Sequence, residues 1–322
     1  MFELPAYQVG LLAFGSVAFG LYLLIKGGDW TIDAATFIAE RAGLSPLFIG
    51  ATIVSFGTSV PELFTSVNAN LSGYPGIALG NVVGSNIANV LLVLGVTAMI
   101  FPIAAKRSSL VKDLGMMLVA TAILAIGMLA GVIPAWAGAA MFALLVSFVA
   151  YQYATDTLEI DEVAGEHAIS SVGGAMAVLG GGLVALALGS ELLVQGAVVA
   201  GTAIGVPEAI IGLTVVAFGT SLPELATCVA AARQRATDLI LGNIIGSNTF
   251  NVLSIIAITA MIKPLNVDQA LMGFDLWFMV GVAVAFTVWM LAVGRLAFAT
   301  GIAMVALYIG FVVLQYRGSV LF

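Results

Sequence analysis

Long apolar runs alternate with short polar stretches along most of the chain. A helix needs about 20 predominantly apolar residues to cross the hydrocarbon core of a bilayer. Runs of this kind give ten predicted spans, at residues 6–25, 46–70, 76–100, 111–131, 133–152, 170–201, 207–232, 238–262, 272–293 and 295–315. The first run continues as an amphipathic stretch to Arg41, and the sixth has an apolar tail, so both spans are expected to be long and tilted. The pattern predicts an all-α polytopic membrane protein with ten transmembrane helices.

Composition agrees with this prediction and excludes several kinds of function. Of the 322 residues, 61% are hydrophobic and only 8% are charged, whereas soluble domains carry about 25% charged residues. The ten Lys and Arg residues form no clusters beyond pairs, which argues against nucleic-acid binding. A single cysteine, Cys228, and a single histidine, His167, leave neither an internal disulfide nor a Cys/His zinc site.

Two motifs occur twice, once in each half of the chain. Residues 57–62 read Gly-Thr-Ser-Val-Pro-Glu, and residues 219–224 repeat them at five of six positions, 162 positions later. Residues 80–89 and 242–251 agree at six of ten positions. Since each half has five predicted spans, an odd number, the second half must enter the membrane upside down relative to the first. Inverted repeats with binding groups at the midplane are typical of secondary transporters.

The predicted organisation is two five-helix repeats, at residues 1–151 and 170–322, joined by an acidic linker at 152–169. The linker is interpreted as a solvated connection, with a cation-attracting or regulatory surface as the alternative. With the N-terminus outside, eight of the ten basic residues fall on the inner side and two on the outer side. The positive-inside rule therefore predicts that both termini lie outside and that the linker is cytoplasmic.

The first motif predicts a break within the second span. Pro61 has no N–H and crowds the preceding turn, so the helix should break or kink near residues 55–58. The freed carbonyls would then lie within about one turn of Thr58, Ser59 and Glu62. Carbonyl, hydroxyl and carboxylate oxygens are the ligands that hard cations such as Na⁺ and Ca²⁺ prefer.

The following span adds Ser85 and Asn89, which share one helical face and lie at the predicted depth of Glu62. The second half offers the same kinds of side chain at the matching positions Thr220, Ser221, Glu224, Ser247 and Asn251. Glu62 and Glu224 are the acidic residues near the predicted midplane, and no Lys or Arg at that depth is available to pair with them. Two carboxylates match one Ca²⁺ in charge and, in an empty site, would bind cations or a proton.

Some of these polar residues have ordinary structural interpretations. Ser and Thr side chains on membrane helices often bond to their own backbone or to a neighbouring helix. The remaining motif asparagines are interpreted mainly as helix-break or interhelical groups, with cation binding as the alternative: Asn81, Asn86, Asn243 and Asn248.

Two copies of Gly-Thr-Ser-x-Pro-Glu, each followed by Gly-Asn-x-x-Gly-Ser-Asn-x-x-Asn, resemble the paired alpha-repeats of the sodium/calcium exchangers, within the cation/calcium antiporter superfamily. The resemblance covers nearly the whole chain. It implies an antiporter that exchanges Na⁺ for Ca²⁺ by alternating access, with spans one and six sliding against the other eight. Because the related proton/calcium exchangers carry a different motif, sodium is the expected counter-ion. The short linker implies a prokaryotic member, and hence a prokaryotic cytoplasmic membrane.

By resemblance, the matched positions form one midplane cluster that holds Na⁺ and Ca²⁺ in turn. The implied ion-binding residues are Ser55, Thr58, Ser59, Glu62, Ser85, Asn89, Ala217, Thr220, Ser221, Glu224, Ser247 and Asn251. Ser55 and Ala217 would contribute carbonyl oxygens at the helix breaks, and Glu62, Glu224, Thr58 and Thr220 are the expected metal ligands. Some family members carry Asp at the position of Asn251, so this chain's site has one carboxylate fewer, which argues against the potassium-dependent branch.

There are three alternatives to Na⁺/Ca²⁺ exchange, one of the same functional class and two of other classes. The first is a proton-coupled or broad divalent-cation antiporter. A cation channel normally needs several subunits with identical filter elements, whereas this chain carries both halves of its site. A membrane enzyme is disfavoured because Ser59 and Ser221 have no intramembrane His, Lys or Asp base beside them. The expected partners are the transported Na⁺ and Ca²⁺ ions and the lipid bilayer, with no further cofactor, no nucleic acid and no protein partner evident.

Overall fold

The computed structural model describes residues 6–156, 169–203, 219–267 and 273–321, and most of them are helical. In chain order, the helices are α1 (Ala6–Ala42), α2 (Pro46–Ile49), α3 (Ser55–Thr58), α4 (Val60–Leu71), α5 (Pro75–Ala88), α6 (Leu94–Ile100), α7 (Arg107–Leu129), α8 (Ala135–Thr155), α9 (Val172–Ala203), α10 (Leu222–Arg233), α11 (Thr237–Phe250), α12 (Ala257–Ile262), α13 (Phe274–Ala292) and α14 (Phe298–Leu321). Short π-helical segments join α2 to α3, α5 to α6 and α11 to α12, at Gly50–Val54, Asn89–Val93 and Asn251–Ile256.

Within the described ranges, eight continuous helices are long and apolar enough to cross a membrane. A ninth span is possible if the bent pair Pro46–Thr58 and Val60–Leu71 is counted as one crossing. The predicted spans 76–100 and 238–262 correspond closely to Pro75–Ile100 and Thr237–Ile262. The predicted seventh span, 207–232, lies partly outside the described residues, as does most of the acidic linker.

The first span is a single helix rather than a span followed by a separate amphipathic segment. Helix α1 has 37 residues, which at 1.5 Å per residue gives a length of about 55 Å. That is well above the roughly 30 Å of a bilayer's hydrocarbon core. Helix α9 is 32 residues long, so the prediction that the first and sixth spans are long is confirmed.

The second span breaks at Ser59, one residue beyond the predicted stretch 55–58. Ser59 has φ −87° and ψ 4°, and the two halves of the span meet at 45°. Pro61 explains the position, because proline is tolerated in the first turn of a new helix, where its missing N–H has no helical partner to lose. Ser221 has nearly the same conformation, φ −87° and ψ 5°, immediately before α10. The repeated motif therefore gives the same break in both halves.

Four two-residue strands, which the sequence did not predict, join loops from the two halves. Strand β1 (Ile103–Ala104) pairs antiparallel with β4 (Arg295–Leu296). Strand β2 (Val132–Ile133) pairs antiparallel with β3 (Leu265–Asn266). Each pair connects two loops that the distribution of basic residues predicts on the same side of the membrane.

Helices α1 and α9 pack along each other through close backbone contacts. A Cβ atom added at Gly20 would lie 2.6 Å from the carbonyl oxygen of Gly189, and one added at Gly189 would lie 2.8 Å from that of Gly20. Such short distances leave no room for a side chain, as is typical of small-residue contacts between membrane helices. Many other side chains of α1, such as Phe14 and Leu11, are exposed. The pair therefore lies at the surface, while α5 and α11 form the buried centre.

Candidate cation site

Glu62 and Glu224 lie at matching places, in the first turns of α4 and α10. Each side chain is only 1% exposed. The N-terminus of a helix stabilises a nearby negative charge through its free N–H groups and its dipole. The hydroxyl of Ser59, three residues before Glu62, reaches the carboxylate of Glu224 at 3.3 Å. The helix breaks therefore bring two buried acids from distant parts of the chain into one site.

Several buried oxygen atoms of the predicted site have no hydrogen-bond partner in the protein. Eleven buried side-chain atoms are unpaired in this way in the described part of the chain. Six of them belong to predicted ion-binding residues: Glu62 Oε2, Asn89 Oδ1, Ser221 Oγ, Glu224 Oε2, Ser247 Oγ and Asn251 Oδ1. Because buried polar atoms are almost always paired, a concentration of unpaired oxygens points to a ligand that accepts their lone pairs.

Hydroxyl groups of the first break connect it to the second half of the chain. The Ser59 hydroxyl donates to Glu224 Oε1 at 3.3 Å. The Ser55 hydroxyl donates to the backbone oxygen of Asn243 at 2.9 Å, and the Thr58 hydroxyl lies 3.4 Å from the side-chain oxygen of the same residue. These hydrogen bonds hold the region around the break at Ser59 against helices α10 and α11.

The Ser55 carbonyl, a predicted ligand, accepts bonds from the N–H of Ser59 at 3.1 Å and from the hydroxyl of Thr58 at 3.3 Å. Ser85 is buried in α5, and Thr220 is partly buried in the turn before Ser221. Ala217, the remaining predicted position, lies outside the described residues. We call the two breaks at Ser59 and Ser221, together with the buried helices α5 and α11 that carry further predicted ligands, the centre of the candidate site.

Asparagine side chains support this centre in two ways. Asn81 donates to the backbone oxygen of Glu62 at 3.3 Å and to the hydroxyl of Ser66 at 3.0 Å. Its counterpart Asn243 reaches the sulfur of Cys228 at 3.5 Å. These two asparagines hold the half-helices that carry the acids, a role that their positions in the repeated motif already suggested.

The other two motif asparagines, Asn86 and Asn248, bond across the crossing of α5 and α11. The amide nitrogen of Asn86 donates to the backbone oxygen of Asn248 at 3.4 Å, and that of Asn248 donates to the backbone oxygen of Asn86 at 3.3 Å. Their interpretation as interhelical groups is confirmed.

A further buried acid, Asp113, was not singled out from the sequence. It lies in α7, is 5% exposed and accepts a hydrogen bond from Gln152 of α8. It lines a cavity of about 510 Å³ together with Asp156 and Asp238. Because Asp113 lies only two turns into α7, hydropathy alone assigned it to the end of a span rather than to a buried position.

The model of the family described as "Sodium/calcium exchanger protein" matches residues 12–154 and 174–317. The putative antiporter CaxA of Alkalimonas amylolytica is 35% identical over 308 residues, which cover 93% of this chain and 96% of that protein. The sodium/calcium exchanger MaX1 of Methanosarcina acetivorans is 30% identical, with coverages of 92% and 96%. Among solved structures, the sodium-calcium exchanger NCX_Mj soaked with 10 mM Na⁺ and zero Ca²⁺ has a TM-score of 0.80 and 31% identity, over 93% of this chain and 97% of that one.

Proposed function

Because this chain belongs to the sodium/calcium exchanger protein family, we propose that it is a secondary antiporter that exchanges Na⁺ for Ca²⁺ across a membrane. One observation carries the proposal: Glu62 and Glu224 are both buried, and each has a carboxylate oxygen without a hydrogen-bond partner, as do neutral oxygens of four other predicted ligands. Carboxylate, hydroxyl and amide oxygens without hydrogen-bond partners suit hard cations.

Charge explains why the two ions would alternate. Glu62 and Glu224 together neutralise one Ca²⁺, and the other proposed ligands are neutral. Adding Na⁺ to a site that already holds Ca²⁺ would leave unbalanced positive charge in a region of low dielectric constant, where such charge is costly. The two ions therefore occupy overlapping positions and exclude each other.

The remaining ligands surround these two acids. The hydroxyl oxygens come from Thr58, Ser59, Ser85, Thr220, Ser221 and Ser247, the amide oxygens from Asn89 and Asn251, and the carbonyl oxygens from Ser55 and Ala217. Glu62, Glu224, Thr58 and Thr220 are the Ca²⁺ ligands in this proposal. Both halves of the chain contribute equally, as the repeated helix breaks at Ser59 and Ser221 suggest.

The proposed architecture is ten spans in two inverted five-helix repeats, residues 1–151 and 170–322, with a cytoplasmic linker at 152–169. Both termini lie outside a prokaryotic cytoplasmic membrane. The strand pairs agree with the alternation of loops in this topology, because β1 and β4 join two loops assigned to one face, whereas β2 and β3 join two loops assigned to the other. The distribution of basic residues alone sets which face is the inner one.

Alternating access is proposed to depend on α1 and α9. These helices pack along each other through small residues such as Gly20 and Gly189, and the proposed ligands among the described residues lie on α3, α4, α5, α10, α11 and adjoining segments. The pair can then slide along the remaining helices and open the site first to one side and then to the other.

The experiment is Ca²⁺ uptake into proteoliposomes with Na⁺ inside and none outside. Uptake that requires the outward Na⁺ gradient, and stops when Na⁺ is equal on both sides, is expected of the exchanger. Liposomes with Glu62→Gln protein are the matched control. Uptake that ignores the Na⁺ gradient would contradict the proposal.

Proton coupling is the second candidate, since two buried carboxylates in one empty site would repel each other and could take up a proton when no cation is bound. The same proteoliposomes distinguish proton coupling from Na⁺ coupling. An imposed pH gradient, with no Na⁺ present, drives Ca²⁺ uptake only if protons can replace Na⁺ as the counter-ion.

A further inference from the structure

Four buried asparagines, two from each half, are joined in a continuous series of hydrogen bonds that begins and ends at predicted ligands of the cation site. Asn89 donates from Nδ2 to Asn248 Oδ1 at 3.1 Å, and Asn251 donates from Nδ2 to Asn86 Oδ1 at 2.9 Å. Asn86 and Asn248 in turn donate to each other's backbone oxygens. We call these four residues the asparagine cluster. Each link joins one half of the chain to the other.

The hydrogen bonds of the asparagine cluster determine which atom each side-chain amide turns toward its neighbours. A backbone carbonyl can only accept, so the Nδ2 of Asn248 must point to the backbone of Asn86. Its Oδ1 is then the acceptor for Asn89, whose own Nδ2 is used in that bond. The Oδ1 of Asn89 therefore remains buried without a partner. In the same way, the Nδ2 of Asn86 points to the backbone oxygen of Asn248, and its Oδ1 accepts from the Nδ2 of Asn251. The Oδ1 of Asn251 is therefore also buried and unpaired.

We propose that Asn86 and Asn248 are positioning residues that fix the amide orientation of Asn251 and Asn89, respectively, so that each presents its oxygen to the cation. The inference rests on the proposed function, because it assumes that the unpaired oxygens bind an ion. A rotated amide would present an NH₂ group to the cation instead, which repels it. The ligand of each half is thus oriented by a residue of the other half.

The asparagine cluster also determines whether an amide or a carboxylate is favoured at position 251. The Nδ2 of Asn251 faces the oxygen of Asn86. A carboxylate there would place two acceptors against each other, and Asn86 could relieve this only by giving up its bond to Asn248. The asparagine cluster therefore favours a neutral amide at this position, so that the site has only the two negative charges of Glu62 and Glu224.

A double-mutant cycle on Ca²⁺ binding to purified protein tests the proposal. We expect Asn248→Leu and Asn86→Leu each to weaken Ca²⁺ binding by about 10- to 100-fold, the usual effect of removing a group that orients a metal ligand. In an Asn89→Ala background, Asn248→Leu should have little further effect, whereas in an Asn251→Ala background it should keep its full effect. Asn86→Leu should show the opposite pattern, because it is coupled to Asn251.

This crossed pattern separates positioning from local structural damage. Asn248 lies three residues from Asn251 on the same helix, so a purely local disturbance would couple Asn248 with Asn251 rather than with Asn89. Asn70→Leu is the matched control, since Asn70 is equally buried but bonds to the backbone oxygen of Lys263, away from the site. It should leave Ca²⁺ affinity unchanged. If a leucine variant does not fold, the corresponding serine variant takes its place with the same expectation.

An infrared difference spectrum of the folded wild type, with and without Ca²⁺, gives a second measurement. Asparagine labelled with ¹³C at its side-chain carbonyl should show a band that moves when Ca²⁺ binds. An unmoved band, or coupling along one helix instead of between the halves, would overturn the positioning role while Na⁺-dependent Ca²⁺ uptake remained intact. Loss of Ca²⁺ binding in the wild type itself would instead contradict the proposed function.

Discussion

The hydroxyl of Ser59 donates a hydrogen bond of 3.3 Å to a carboxylate oxygen of Glu224, although 165 positions separate the two residues in the chain. Ser59 is the residue at which the second span breaks, and Glu224 lies in the first turn of the helix after the matching break. The contact therefore joins the two halves of the chain at these breaks. Non-helical backbone at membrane depth is tolerated only where it is buried or lines a cavity, which is the situation here.

The two acids should be equally necessary. We expect Glu62→Gln and Glu224→Gln each to abolish Na⁺-dependent Ca²⁺ uptake in proteoliposomes, because one remaining carboxylate cannot neutralise Ca²⁺. Thr58→Ala removes only a neutral oxygen and should weaken Ca²⁺ binding by about tenfold, equivalent to about 1.4 kcal/mol. All three proteins should elute as folded protein from a sizing column. Near-normal uptake by Glu62→Gln would show that the site lies elsewhere.

The predicted topology assigns Ser109 to the inner face and Ser72 to the outer face. Both residues are exposed at the ends of helices. In a Cys228→Ser background, we expect an impermeant thiol reagent added to intact cells to label Ser72→Cys but not Ser109→Cys. Permeabilised cells provide the control, in which both positions react. Labelling of Ser109→Cys in intact cells would reverse the orientation.

The contact between α1 and α9 should matter for turnover more than for binding. A valine at position 20 would clash with the backbone of α9, and forcing extra atoms into a packed contact lowers stability by about 1–3 kcal/mol. We expect Gly20→Val to slow Ca²⁺ uptake while Ca²⁺ still binds to the purified protein. Gly15→Val is the matched control on the same helix, because nothing lies within 4 Å of the added Cβ. Equal effects of the two substitutions on uptake would argue against a moving α1–α9 pair.

A third carboxylate should change how the site responds to Na⁺. Asn251→Asp adds a negative charge beside Glu62 and Glu224, so we expect the Na⁺ dependence of Ca²⁺ uptake to shift or a further cation to be accepted. Asn266→Asp adds the same charge at an exposed position in β3 and serves as the control. Identical Na⁺ dependence in Asn251→Asp and the wild type would place residue 251 outside the site.

Some parts of this structure could be predicted because local chemistry determines them. Pro61 and the apolar residues around it are sufficient to predict a broken span and a buried acid at Glu62. The position of the break could be predicted only to within one residue, because proline is accommodated equally well at the start of the following helix. Hydropathy also located the ends of the third and eighth spans closely.

Other parts depend on how distant segments meet, which a single sequence does not reveal. The repeated motif predicts that Asn86 is a helix-break or interhelical group, but its bond to Asn251 depends on the crossing of α5 and α11. The short strands β1 and β4 have no alternating pattern to predict them and form only because two loops meet. Asp113 is buried by helix α8, a contact that hydropathy does not encode.

The central claim is that Na⁺ and Ca²⁺ share one site between Glu62 and Glu224. It is tested most directly by equilibrium Ca²⁺ binding to the purified wild-type protein at increasing Na⁺ concentrations, with choline replacing Na⁺ to keep ionic strength constant. We predict that the apparent Ca²⁺ affinity falls steadily as Na⁺ rises while the number of bound Ca²⁺ ions at saturation stays the same. Because binding linkage is reciprocal, Ca²⁺ should weaken Na⁺ binding as well. A Ca²⁺ affinity that does not change with Na⁺ would contradict the shared site.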